Sequence, residues 1–294
     1  MARLPRVTIV GLGLIGGSLG LALKRRHLAR EVVGVSRRSA TLRLAKQRRA
    51  IDWGTTDAAR AVRKADVVVL ATPVGAIVPT AVRLAPFMRR GSILTDVGST
   101  KAAIVRALER RLPDGIAFVG AHPLAGSERR GFAAAQADLF DDSLCILTKT
   151  AKTSPTALSR VTRFWAALVS PEARGGKSRR GMRRVVVMAP ATHDRVLAQV
   201  SHLPHVLAFC LAQAASPRAR RLSPRSFLDA TRVAKSDPAL WRDILLSNQA
   251  ALLAAMNRFD RGWTTARRLL RRRSPRALQQ FLRHGQRLRQ RLQD

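Results

Sequence analysis

The chain has 294 residues, of which 46% are hydrophobic, so it is long and apolar enough for two domains that each bury a core. Its 54 lysines and arginines against 18 acidic residues give a net charge of +36, which is typical of proteins that bind nucleic acid. The charge is spread along the whole chain, without helix-turn-helix or finger spacing and without tyrosine to stack on bases. We therefore do not expect a nucleic-acid partner, and we interpret the excess of arginine as a compositional drift of the host proteome.

The first element is a β-type run, residues 7–10, which leads directly into the glycine-rich sequence GLGLIG and a helix-like run at 18–24. This order predicts the strand, turn and helix of a dinucleotide-binding βαβ unit. Gly11 allows the turn, Gly13 lets the backbone approach a pyrophosphate, and Gly16 lets the helix pack against the strand. A glycine-rich turn without a cofactor is the alternative. The predicted cofactor-binding loop consists of Gly11, Gly13, Leu14, Ile15 and Gly16.

A second strand is predicted at residues 31–36, where NAD-binding domains carry an acidic residue that holds the ribose hydroxyl. Here that position is Ser36, followed by Arg37 and Arg38. A hydroxyl and two guanidinium groups suit a 2′-phosphate, so the sequence favours NADP, with NAD as the second possibility. The alternative is one more arginine pair in an arginine-rich chain.

Further strands follow in alternation with helix-length segments. The run at 65–71 is almost entirely apolar and ends in Thr72 and Pro73, at the edge where such sheets bind ligands, so both are candidate cofactor contacts. Strands are also predicted at 92–95, 118–120 and 144–148, with a helix at 156–168. This alternation predicts an α/β fold with a Rossmann-type, doubly wound parallel sheet.

The pattern changes near residue 190. The glycine- and arginine-rich segment 171–184 is predicted to be a surface loop, and 185–188 a last strand. Helices are predicted at 191–215, 226–234 and 238–258, before a basic terminal stretch. We therefore predict an NAD(P)-binding domain at 1–190 and an all-α domain at 191–294. Because some of these helices are apolar on more than one face, we expect the second domain to form a homodimer and contribute to substrate binding.

Several function classes are not expected from the sequence. No apolar run reaches the about 18–20 residues of a membrane span, and the N-terminus enters the first strand without room for a signal peptide. Cys145 and Cys210 lie in apolar sequence without metal-ligand spacing, so we interpret both as buried thiols and predict no metal site. These observations favour a cytoplasmic protein.

Eight short motifs lie along nearly the whole chain. They are GLGLIGGSL (11–19), ATP (71–73), DVGSTK (96–101), GAHPLAGSERRG (120–131), LF (139–140), HD (193–194), SHLPH (201–205) and TRVAKSDPALWRDI (231–244). In sequence and in order they resemble the prephenate/arogenate dehydrogenase family of tyrosine biosynthesis. The HPLAG and SHLPH motifs are far more specific than the glycine loop.

The resemblance implies oxidative decarboxylation of prephenate to 4-hydroxyphenylpyruvate, with hydride transfer from ring carbon C4 to NAD(P)+. His122 matches the residue that accepts a hydrogen bond from the substrate 4-hydroxyl, a role suited to a group that titrates near neutral pH. Ser99 matches the family serine that bridges this hydroxyl, the histidine and the nicotinamide. Ser99 could also, or instead, be the N-cap of the following helix.

The resemblance assigns the substrate-binding residues in the same way. Arg232 matches the arginine that clamps a substrate carboxylate, and His205 matches a substrate contact. His202 is interpreted as structural, as is the pair His193–Asp194. His202 and His205 could suggest a metal, but no third ligand follows at suitable spacing.

Three alternative functions compete with this assignment, and two of them stay open. Arogenate dehydrogenase differs only in the substrate side chain, and we favour prephenate because His205 offers a neutral or cationic partner to a keto acid. A β-hydroxyacid or 6-phosphogluconate-type dehydrogenase would need a catalytic lysine in the helical domain. Lys235 is the only lysine after residue 177, and it belongs to the TRVAKSDP match, so we reject this alternative. A basic nucleic-acid-binding protein on a Rossmann scaffold is the alternative from another class.

Overall fold

The computed structural model describes residues 4–126, 129–170 and 184–292. The chain forms an eight-stranded sheet flanked by helices, followed by a helical part. The strands are β1 (Leu4–Val10), β2 (Ala29–Val35), β3 (Trp53–Thr55), β4 (Val67–Leu70), β5 (Ile93–Asp96), β6 (Ala117–Pro123), β7 (Cys145–Thr148) and β8 (Val185–Met188). They lie in the order β3-β2-β1-β4-β5-β6-β7-β8.

Six helices accompany the sheet. They are α1 (Leu14–Arg25), α2 (Ser39–Gln47), α3 (Ala58–Val62), α4 (Val74–Leu84), α5 (Ala102–Arg111) and α6 (Pro155–Val169). Successive side chains of a strand point to opposite faces of the sheet, so the strands contribute to two buried clusters. In β4, for example, Val69 faces a cluster that contains Trp165, and Val68 faces one that contains Ile77. The predicted doubly wound sheet is therefore confirmed.

Two strands depart from the predicted parallel arrangement. β7 pairs antiparallel with β6, and β8 is parallel to β7, so both run against the other six strands. In its described residues, the connection from β6 to β7 contains no crossover α-helix; a 3-10 turn at Phe132–Ala134 packs against α1 at Gly17. β7 therefore begins beside the carboxyl end of β6 and runs in the opposite direction. β3 is a strand that the sequence analysis did not predict.

The helical part begins after β8. Its helices are α7 (Pro190–Leu197), α8 (Leu203–Ala214), α9 (Pro217–Arg221), α10 (Arg225–Thr231), α11 (Pro238–Ser247), α12 (Gln249–Arg271) and α13 (Pro275–Gln290). A π-helical turn, Ala198–His202, joins α7 to α8, and a 3-10 turn, Arg232–Lys235, follows α10. The helix predicted at 238–258 is two helices that meet at Asn248, and the basic terminal stretch is helical.

The apolar surface of the helical part is largely uncovered in the single chain. Val200, Leu222 and Leu246 are each more than 60% exposed. Cys210 on α8 is exposed, so its predicted burial is wrong for the single chain, whereas Cys145 is buried. Helices with this much uncovered apolar surface are typical of subunit interfaces.

The continuous helical stretch Pro190–Ala214 has 25 residues and a window of mean hydropathy 1.3, so by length and composition it could cross a bilayer. The expectation that no such run exists is therefore wrong. The same length and composition fit a helix of a bundle, and this stretch carries the buried polar residues His193, Asp194 and His202. Of the predicted surface loop 171–184, only Arg184 lies within the described residues.

Candidate active site

The glycine loop lies at the carboxyl end of β1, beside the end of β4. Gly11 has φ +101°, and a Cβ there would lie 2.5 Å from the carbonyl oxygen of Ala71. A Cβ on Gly16 would lie 1.9 Å from the carbonyl oxygen of Gly11, so helix and strand are in direct backbone contact. A Cβ on Gly13 would meet nothing within 4 Å. The open backbone at the start of α1, where Leu14 and Ile15 form the first turn, fits a dinucleotide phosphate.

Two further segments of the predicted cofactor site lie at the same edge of the sheet. Ser36 follows β2, and its Oγ accepts a hydrogen bond from the backbone N–H of Arg38 at 3.2 Å. Arg37 and Arg38 are exposed. Thr72 follows β4, and its hydroxyl oxygen is buried without a hydrogen-bond partner among the described residues, which fits a ligand at this edge. Pro73 is the N-cap of α4.

A chain of hydrogen bonds leads to His122 at the end of β6. Nδ1 of His122 lies 2.9 Å from Nε2 of His193, and Nδ1 of His193 lies 2.8 Å from Oδ1 of Asp194. The Asp194 carboxylate also accepts the backbone N–H groups of Lys101 (2.8 Å) and Ala102 (2.9 Å). Asp194 on α7 therefore caps α5 of the sheet part and orients both histidines.

This network assigns the tautomers of the two imidazoles. An ionised carboxylate can only accept, so His193 carries its proton on Nδ1 and presents a lone pair on Nε2. His122 must then donate from Nδ1, which leaves its Nε2 unprotonated. Nε2 of His122 is therefore the atom of the relay that can accept a proton.

The electrostatic environment favours these protonation states. Burial raises the pKa of Asp194, but hydrogen bonds from His193 and from two backbone N–H groups outweigh it, so its pKa falls below the ordinary value. Burial lowers the pKa of His122 well below its ordinary value, and His193, Lys101 and His202 lower it further. Burial also lowers the pKa of His193, although its hydrogen bond to Asp194 opposes that shift. His122 is therefore neutral near pH 7.

The segment that carries Ser99 connects β5 to α5. Ser99 is half-buried. The N-cap of α5 is Lys101, and its first N–H groups bind Asp194, so the alternative interpretation of Ser99 as N-cap is wrong. Asp96 at the end of β5 accepts the N–H groups of Gly98 (2.9 Å) and Ala121 (3.3 Å), so one carboxylate links the Ser99 segment to the His122 strand.

His202, in the π-helical turn, is 1% exposed. The Nδ2 group of Asn248 donates to Nδ1 of His202 (3.1 Å) and to the carbonyl oxygen of Asp194 (2.8 Å). Nε2 of His202 is buried without a hydrogen-bond partner among the described residues. Burial lowers the pKa of His202 from 6.5 to about 4; the charge of Asp194 opposes this shift.

His205, one helical turn further, stacks on Trp241 with ring centroids 3.5 Å apart and planes at 21°. Its Nδ1 lies 2.9 Å from the carbonyl oxygen of Ser201 and must donate to it, so Nε2 is an acceptor. Burial lowers the pKa of His205, the hydrogen bond to Ser201 raises it, and the charge of Arg232 lowers it. Arg232 is exposed, in the 3-10 turn that packs against α8.

Four histidines thus interact in one cluster: His122, His193, His202 and His205. His193–Asp194 was interpreted as structural from the sequence. Asp96, Lys101 and Trp241 lie in the matching segments but were given no role, and Asn248 lies outside those segments. The available signal was Asp194 itself, since an acidic residue in an apolar helix needs buried donors. Among the described residues, no group of three or more His, Cys, Asp or Glu side chains could hold a metal ion.

Two family models match the chain. The model described as prephenate dehydrogenase, nucleotide-binding domain, matches residues 19–170. The model described as prephenate dehydrogenase, dimerization domain, matches residues 189–284. Together they span both the sheet and the helical part.

Individual proteins match over almost the whole chain. A cyclohexadienyl dehydrogenase of Zymomonas mobilis is 38% identical over 269 residues, which are 88% of this chain and 86% of the relative. The crystal structure of Aquifex aeolicus prephenate dehydrogenase with hydroxyphenyl propionate and NAD+ superimposes with a TM-score of 0.87 at 31% identity, covering 99% of both chains. Synechocystis arogenate dehydrogenase superimposes with a TM-score of 0.81 at 28% identity, covering 98% of this chain and 99% of that one.

Proposed function

This chain belongs to the prephenate dehydrogenase family, and we propose that it converts prephenate and NAD(P)+ to 4-hydroxyphenylpyruvate, CO2 and NAD(P)H. The observation that carries this proposal is the relay from Asp194 through His193 to His122, which leaves Nε2 of His122 ready to accept a proton. Removal of the 4-hydroxyl proton is the step that this reaction requires of the protein.

When bound, the nicotinamide ring supplies the hydride acceptor. Nε2 of His122 accepts the proton of the 4-hydroxyl as the C4–O bond becomes a carbonyl, and the positive charge that develops on its ring is stabilised through Nδ1 by His193 and Asp194. Loss of CO2 then returns the bonding electrons to the ring, which aromatises, and the product oxygen takes the proton back from Nε2 of His122. Ser99 holds the 4-hydroxyl in place. Burial of His122 excludes water and keeps the imidazole neutral.

Arg232 binds a substrate carboxylate in this proposal, because a planar guanidinium can donate two parallel hydrogen bonds to it. His205 is the proposed contact for the substrate side chain, held in one orientation by its stack on Trp241 and its bond to Ser201. Because Nε2 of His205 is an acceptor, it can also receive a hydrogen bond from an ammonium group. The argument for prephenate from His205 therefore does not hold in the structure, and arogenate is the second candidate substrate.

We propose NADP as the preferred cofactor, with NAD as the alternative. Ser36, Arg37 and Arg38 follow the strand next to the glycine loop, and no acidic side chain stands among them. A 2′-phosphate would gain a hydroxyl donor and two positive charges there. The Aquifex aeolicus structure with NAD+ supports a nicotinamide dinucleotide as the cofactor, but it does not support NADP over NAD.

We also propose that the helical part forms the dimer interface, with the chain divided at 1–190 and 191–294. The match to a dimerization domain and the uncovered Val200, Leu222 and Leu246 support this assignment. Light scattering after gel filtration measures the assembly, and a monomer at micromolar concentration would contradict it.

One kinetic experiment tests substrate and cofactor together. Initial rates are measured with prephenate and with arogenate, each with NAD+ and with NADP+, and we expect the highest kcat/KM for prephenate with NADP+. A much higher kcat/KM for arogenate would reverse the substrate assignment. His122→Asn should lose most of kcat and retain cofactor binding, whereas Arg232→Ala should mainly raise KM for the substrate. An unchanged KM would remove Arg232 from the site.

A further inference from the structure

A fully buried ion pair lies directly behind the proposed catalytic residues. The side chains of Lys101 and Asp96 are both 0% exposed, and the Lys101 ammonium is hydrogen-bonded to Oδ2 of Asp96. Taking two charges out of water is costly, and a buried pair is often no more stabilising than apolar side chains of the same volume. The pair therefore calls for a role other than stability.

The pair joins the two segments that carry Ser99 and His122. Oδ2 of Asp96 accepts the N–H of Gly98, next to Ser99, and Oδ1 accepts the N–H of Ala121, next to His122. The stem of Lys101 fills the space beside β6, since a Cβ on Gly120 would lie 3.2 Å from its Cδ. Movement of either carboxylate oxygen would therefore displace one of the two segments.

The ammonium group also adds a positive charge to the surroundings of His122. The other titratable groups that act there come from every neighbouring element: Asp96 on β5, Cys145 on β7, His193 and Asp194 on α7, and His202 in the π-helical turn. All three of these histidines are neutral near pH 7, because burial lowers the pKa of each. The charges that remain there are those of Lys101, Asp96 and Asp194.

We propose that Lys101 is a positioning residue, which through its ion pair with Asp96 holds the Ser99 segment against the His122 strand. This proposal rests on the proposed function, in which His122 accepts the hydroxyl proton. Lys101 itself touches neither substrate nor cofactor in this proposal. Its charge raises the share of enzyme in which Nε2 of His122 is free at mildly acidic pH.

The test is the pH profile of kcat/KM for prephenate in Lys101→Met, which keeps the length of the stem and removes the charge. The acidic limb should move to higher pH by about one unit, because a nearby like charge no longer opposes protonation of His122. Lys64→Met is the matched control, since Lys64 is exposed and precedes β4 at the opposite edge of the sheet. Its profile should match the wild type.

A second variant separates charge from folding. Lys101→Met alone leaves Asp96 charged and unpaired, whereas Asp96→Asn combined with Lys101→Met removes both charges and keeps one of the two oxygen acceptors for the N–H groups of Gly98 and Ala121. The double variant should regain thermal stability relative to the single one and still show the displaced acidic limb. If both variants lose stability while their acidic limbs superimpose on the wild type, Lys101 is only structural and the proposal is wrong.

A readout without turnover keeps the two proposals distinguishable. Imidazole carbon–proton NMR signals of the free protein, with His122 assigned through His122→Asn, report protonation of this ring directly. The His122 midpoint should rise by about one unit in Lys101→Met, even if prephenate proves not to be the substrate. An unchanged midpoint would overturn the role of Lys101 and leave the proposed reaction intact.

Discussion

His202 makes the stability of this protein depend on pH. The folded chain buries a neutral imidazole whose pKa is lowered to about 4, whereas in the unfolded chain the pKa is 6.5. Acid therefore favours the unfolded chain, which binds the proton first. The stability that depends on a neutral His202 is complete above about pH 6.5 and is lost progressively as the pH falls to about 4.

The size of this effect follows from the two pKa values. One pH unit between them corresponds to about 1.36 kcal/mol. When the pH is lowered from 7 to 5, about 1.5 pH units lie below the unfolded pKa and above the folded one. His202 alone should therefore reduce the free energy of unfolding by about 2 kcal/mol. His122, His193 and His205, whose pKa values are also lowered, act in the same direction.

The variant His202→Asn isolates this contribution. An asparagine oxygen can replace Nδ1 as the acceptor for Asn248, and it does not titrate. Urea unfolding at pH 7 and pH 5, at one protein concentration because the chain is expected to dimerise, should show a loss about 2 kcal/mol smaller than that of the wild type. His284→Asn, at an exposed position on α13, is the control. Equal losses in wild type and His202→Asn would refute the reasoning.

Two further predictions concern the glycine loop and the relay. Gly16→Ala should not yield folded protein, because its Cβ would lie 1.9 Å from the carbonyl oxygen of Gly11, whereas Gly13→Ala should keep its melting temperature and lose affinity for NAD(P)H in a fluorescence titration. Normal folding of Gly16→Ala would contradict the packing described here. Asp194→Asn should lower kcat roughly ten- to a hundredfold with little change in KM, because a charge-assisted hydrogen bond is worth about 1.5–3 kcal/mol. A kcat within twofold of wild type would remove the bond to His193 from the mechanism.

The fold was predictable where local pattern and tertiary structure agree. The apolar run at 67–70 favours a buried strand, and the positive φ at Gly11 favours glycine in a tight turn. Both elements could therefore be predicted from the sequence. The direction of β7 could not be predicted from the sequence, because parallel and antiparallel strands of four buried residues have the same composition. The break at Asn248 was also missed, because its amide is used in contacts with His202 and Asp194, far away in sequence.

The candidate site likewise contains residues that could be identified from the sequence and contacts that only the fold creates. His122, Ser99, His205 and Arg232 were identified by resemblance to family motifs, and their roles stay predictions. The relay could not be found from spacing, because His193 is 71 residues from the histidine that it contacts. Lys101 was missed for a different reason: a lysine at the start of a helix is ordinarily exposed, and only the fold shows that this one is buried with Asp96.

The cap that Asp194 provides for α5 limits how such a protein can be rebuilt. A carboxylate from the helical part satisfies the first N–H groups of a helix in the sheet part, and the same oxygen orients the base. A sheet domain grafted onto a foreign helical partner would therefore lose both the cap of α5 and the hydrogen-bond partner that orients His122. Recombination between related genes should therefore give an active protein only when the sheet part and the helical part come from the same parent.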